Sequence, residues 1–81
     1  MSTIYVEKGI FKELIQFKLK RINTFIEEIL ERWKEISADV FIEKARYGIY
    51  EDAENDAIEL QQLLLEEKKL RDLLVQADAD R

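Results

Sequence analysis

Cysteine, histidine and proline are absent from this 81-residue chain, and glycine occurs only at Gly9 and Gly48. Without Cys or His there is no thiolate nucleophile, no disulfide, no imidazole base and no Cys/His zinc site, which closes most nucleophilic and redox chemistry. Without proline, no residue of the chain is a built-in helix stop. No apolar run approaches the 18 or so residues of a membrane span, and the N-terminus lacks a basic segment followed by a continuous apolar stretch. These absences set the expectation of a cytoplasmic chain with no membrane contact and no cofactor.

What is present is a folded composition: 47% of residues are apolar and 38% are charged, in a length that suits a single small domain. The net charge of −5 is unevenly spread. Residues 1–21 carry Lys8, Lys12, Lys18, Lys20 and Arg21 against Glu7 and Glu13, whereas residues 51–81 are strongly acidic. Antiparallel helices would bring these two ends together and neutralise them; separate surfaces for separate partners are the alternative.

Ser2 to Gly9 is rich in β-branched and aromatic residues and reads as a short strand or extended arm over residues 1–9. From Ile10 to Ile36 the apolar residues recur at steps of three and four with nothing to break a helix. Ser37 offers a capping hydroxyl and Asp39 a first-turn acid for a second helix over about 38–47, closed by Gly48. A third helix, over about 51–76, opens in the acidic run Glu51, Asp52, Glu54, Asp56, and residues 78–81 form a frayed tail. The expected fold is all-α: a long helical hairpin with a short middle helix, bundle-like, in one domain over 10–77.

The inner row of the first helix, Ile15, Leu19, Ile22, Ile26, Ile29, Trp33 and Ile36, suits bundle packing better than a simple parallel coiled coil. The third helix carries Ala53, Ala57, Leu60, Leu63, Leu64, Leu70, Leu74 and Ala77, interrupted by Asp56, Glu67 and Arg71 on the same side. In an antiparallel hairpin Trp33 falls near Ala53 and Ala57, Ile26 near Leu60, and Lys18 near Glu67. The middle helix spans only about 15 Å of hairpin helices about 40 Å long. Self-association into a bundle, most simply as a homodimer, is therefore expected to bury Phe11, Ile15, Ile22, Ile26, Leu70 and Leu74.

Two patterns point elsewhere. Glu28 to Glu31 and Glu51 to Glu54 each resemble the E-x-x-E half of the site in all-α nucleotide pyrophosphohydrolases, which implies a divalent metal; the matching E-x-x-D half is missing. An arm followed by helices in a small chain resembles ribbon-helix-helix repressors, which implies DNA contact through paired arms, with Thr3, Tyr5 and Glu7 on one face. The first helix here is longer than theirs, and the net charge opposes a polyanion. Lys18, Lys20 and Arg21 are the candidate basic contact, and Asp52, Asp56 and Glu59 the candidate acidic one, for a basic partner protein. Trp33, Tyr47 and Tyr50 gather near the short helix, where they close the end of the core or offer a recognition surface. The function expected is a non-catalytic protein–protein interaction module with no metal or catalytic residue, and the second reading is a small dimeric regulator of the antitoxin or repressor kind.

Overall fold

The computed structural model describes the backbone of residues 2–79 and the side chains of residues 9–78. Three helices follow one another: α1 (Ser2–Arg32), α2 (Ala38–Arg46) and α3 (Glu54–Ala79). Among the described residues there is no strand. Helices α1 and α3 form the antiparallel hairpin expected from their stripes, and α2 packs against α3 near the closed end.

The extended arm expected over residues 1–9 is instead, from Ser2 onward, the start of α1, and residue 1 lies outside the described part. A lone strand leaves its backbone donors and acceptors unpaired, whereas a helix closes them within the same segment. That outweighs the few tenths of a kcal/mol per residue that β-branched side chains cost in a helix and the roughly 1 kcal/mol cost of Gly9. The side chains of Thr3, Tyr5 and Glu7 lie outside the described residues, but the helical backbone removes the paired-ribbon mode of DNA contact. At the other end α3 continues through Ala79, so the tail expected from Asp78 onward is helical for two residues more, and residues 80–81 lie outside the described part.

Helix α1 stops at Arg32, short of the expected Ile36, because the chain turns left-handed at Lys34 (φ 55°). Lys34 N–H donates to Glu31 C=O at 3.1 Å and Glu35 N–H to Leu30 C=O at 2.9 Å, the paired bonds of a Schellman C-cap. The same motif ends α2, where Gly48 (φ 73°) donates to Ala45 C=O and Ile49 to Lys44 C=O. Gly48 adopts this conformation without a Cβ penalty; Lys34 does not, and its identity gave no sign of a cap. Ile36, placed in the inner row by its spacing, is consequently 97% exposed in the connection.

Ser37 caps α2 as expected, its hydroxyl accepting from Val40 N–H at 3.5 Å. Residues 51–53 form a turn with Asp52 at φ 59°, so α3 begins at Glu54, three residues later than its acidic run suggested. The core is a single row between the helices: Ile15, Ile22, Ile26 and Ile29 of α1 against Ala53, Ala57, Leu60 and Leu70, with Phe41 of α2 and Leu60 fully enclosed. The molecule measures 56 × 18 × 18 Å with a radius of gyration of 16.4 Å, against about 12 Å for a compact domain of this length. It is a rod about two helices wide, with a correspondingly large surface.

Candidate interaction surface

The charged residues that interrupt the α3 stripe have partners. Asp56 Oδ2 accepts from Trp33 Nε1 at 2.7 Å and from the Arg32 guanidinium at 2.9 Å, and its side chain is only 19% exposed. The Trp33 hydrogen bond first, then Arg32, holds its carboxyl below the ordinary carboxylate range, against a partial burial that pushes it up. Asp56 is thus a pin between α1 and α3, not the acidic contact for another protein expected from the sequence. Of its proposed companions, Asp52 lies in the turn before α3 and Glu59 is exposed one helical turn after Asp56.

The hairpin register is close to that expected, offset by one residue at the charges. Lys18 meets Glu66 at 3.5 Å, and Glu67, its expected partner, turns to Arg71 at 3.6 Å. Lys12 pairs with Asp78 near the open end. Because residues advance about 100° per position around a helix, Lys20 faces away from Lys18 and Arg21. The three therefore do not converge into the single basic patch expected from their sequence order. Arg21 lies over the Phe25 ring at 5.9 Å, and Lys20 contributes its carbonyl to Thr24 Oγ1 at 3.0 Å.

Around α2 the aromatic residues close the end of the core. Trp33, Phe41 and Tyr50 form a tilted triad with centroids 5.2 to 5.8 Å apart. Tyr50 donates to Glu35 at 2.5 Å, and Lys44 pairs with Glu35 at 2.8 Å. The Lys44 contact, and then the Tyr50 hydroxyl, lower the Glu35 carboxyl, while Glu35 in turn raises Lys44 and Tyr50. Tyr47 stands outside this cluster, 72% exposed. A shallow groove between α2 and α3, lined mainly by Ile42, Ala45, Ala57 and Ile58, is open to solvent.

The residues assigned to self-association separate into two groups. Ile15, Ile22, Ile26 and Leu70 are buried by the hairpin itself and Leu74 packs against that core, so these five are not available to a second copy. The reason is that α1 and α3 cover each other from about Lys12 and Asp78 to the closed end, where Phe41 of α2 completes the core. Phe11 remains, 44% exposed. Beside it runs a second apolar stripe that the first one obscures: Ile10, Leu14, Phe17 and Phe25, exposed by 51, 61, 63 and 41%. Its signal is plain in the sequence, since Ile10, Leu14, Phe17, Arg21 and Phe25 fall within an arc of about 80° at 3.6 residues per turn. Apolar residues on two sides of α1 made the inner row the conspicuous one.

Among the described residues no three acidic side chains are grouped to hold a metal ion, and Glu28, Glu31 and Glu54 are exposed. No described helix is long and apolar enough to cross a membrane. No protein-family model, curated protein or solved structure matches the chain.

Proposed function

We propose that this chain is a small non-catalytic protein–protein interaction module that works by associating with a second copy of itself through the outer face of α1. One observation carries the reading: Ile10, Leu14, Phe17 and Phe25 line an exposed apolar stripe, interrupted only by Arg21, on a helix whose inner row is already filled. Monomeric soluble proteins scatter exposed apolar residues singly, and an aromatic-rich stripe with an arginine in it is the pattern of an interface. The elongated shape supports the same reading, because a rod two helices wide gains a bundle interior only when another pair of helices is laid against it.

The test is molar mass by light scattering on a sizing column over a hundredfold range of concentration. A dimer or higher state is expected for the native chain. Phe17→Glu should shift it to the monomer with unchanged helical circular dichroism, because position 17 is 63% exposed and contributes nothing to the hairpin core. A native chain that stays monomeric throughout, or a Phe17→Glu variant with undiminished association, overturns the reading.

A further inference from the structure

Resting on the self-association reading, we infer that the two copies pack with a two-fold axis along the rod, so that α1 of each lies on α3 of the other in a four-helix bundle. The Lys18 to Glu66 and Arg32 to Asp56 pairs bridge the two helices on the side that carries the α1 stripe. They fix which residues of α3 share this face: Glu59, Glu66 and Leu73, by helical spacing. The α2 groove is lined from the other side of α3, by Ala57 and Ile58, so α2 does not obstruct the face.

Area argues for a second copy as the occupant. Phenylalanine side chains bury about 150–250 Å² each, and leucine and isoleucine somewhat less. The exposed portions of Ile10, Phe11, Leu14, Phe17 and Phe25, from 41 to 63%, therefore amount to about 500 Å². A stable interface buries about 800 Å² per partner, so the stripe supplies more than half of what a dimer needs and the exposed α3 residues beside it, Leu73 among them, supply the rest.

Charge selects the arrangement. The α1 half of the face carries Lys18, Arg21 and Arg32 against a single acid, Glu28, and the α3 half is acidic at Glu59 and Glu66. Laying α1 on α1 sets apolar and basic residues against their own kind and leaves acid facing acid. Laying α1 on the second copy's α3 sets Arg21 against acid, and leaves Glu28 opposite Glu59 as the one like-charge meeting. An axis along the rod also preserves height: Lys12 is level with Asp78 and Lys18 with Glu66. Arg21 then stands beside Glu66 of the other copy, and Leu14, 61% exposed, beside its Leu73, 41% exposed.

The absence of native cysteine allows a direct test, because a disulfide requires Cα atoms within about 7 Å. Single-cysteine variants Leu14→Cys and Leu73→Cys are oxidised separately and as a mixture. A covalent dimer from the mixture, with none from Leu14→Cys alone, is expected. In parallel, Arg21→Glu should weaken dimerisation at least tenfold, and Glu66→Arg in the same chain should restore it. A cross-link from Leu14→Cys alone, or a native dimer whose mixture does not cross-link and whose charge swap does not rescue, overturns this arrangement while leaving self-association standing. A monomeric native chain overturns both.

Discussion

Replacing Asp56 with alanine tests the account of how the hairpin is pinned. The carboxylate accepts two hydrogen bonds on one oxygen, from Trp33 at 2.7 Å and Arg32 at 2.9 Å. A hydrogen bond to a charged group contributes about 1.5–3 kcal/mol. The Arg32 side chain is 59% exposed, which limits its share to about 0–1 kcal/mol. Asp56→Ala should therefore cost about 2–3 kcal/mol at neutral pH, against a total stability of about 4–12 kcal/mol for a chain of this length. At fixed protein concentration that lowers Tm by about 10–20 °C.

The pH dependence gives a second, independent reading. The folded carboxyl lies below the ordinary value of 3.8, so its stabilisation is fully present above that value and is lost as pH falls through the lower folded one. The gap between native and variant should be flat near neutrality and shrink below pH about 4. Circular dichroism follows the helices, and Trp33, the single tryptophan, reports the site by fluorescence. A loss under about 0.5 kcal/mol at pH 7, or a gap that does not narrow in acid, would refute the pin.

Lys34→Gly should stabilise the fold by up to about 1 kcal/mol in urea unfolding, because Lys34 sits at φ 55° in a Schellman position where glycine escapes the Cβ penalty; destabilisation would contradict that turn. Gly9→Ala should also stabilise, by about 0.5–1 kcal/mol, since Gly9 lies within α1 and an added Cβ meets nothing within 4 Å; no change would indicate that α1 frays before residue 9 in solution. Leu60→Ala, at a fully enclosed position, should cost about 2–5 kcal/mol in the same assay. Leu65→Ala, 63% exposed on the same helix, should change stability by under about 0.5 kcal/mol, and similar losses at both positions would mean the core row is misplaced.

Much of the architecture was legible in the residues alone. The three-and-four spacing of Ile15, Leu19, Ile22, Ile26 and Ile29, met by Ala53, Ala57 and Leu60, specifies two long helices with apolar rows, and an antiparallel hairpin is the simplest way to face one row with the other. Ser37 and Gly48 bracket α2 through chemistry that acts within a few residues, which is why its limits were readable. The second stripe of α1 was equally present as spacing.

Tertiary structure decided what spacing cannot express. Whether the inner row was spent within one chain or between two depended on α1 and α3 covering each other, so Ile22 and Leu70 became core and Phe17 was left outside. The fate of residues 2–9 turned on the absence of any strand to pair with among the described residues, a property of the whole fold and not of Ile4, Tyr5 or Val6. The end of α1 was set by Lys34 accepting a left-handed turn, which no side-chain chemistry announces. Asp56, conspicuous in the sequence as an interruption, acquired its role only when the hairpin brought Trp33 within 2.7 Å. Local patterns fix which faces a helix must hide, but which neighbour hides them is a long-range packing choice that only the assembled chain makes.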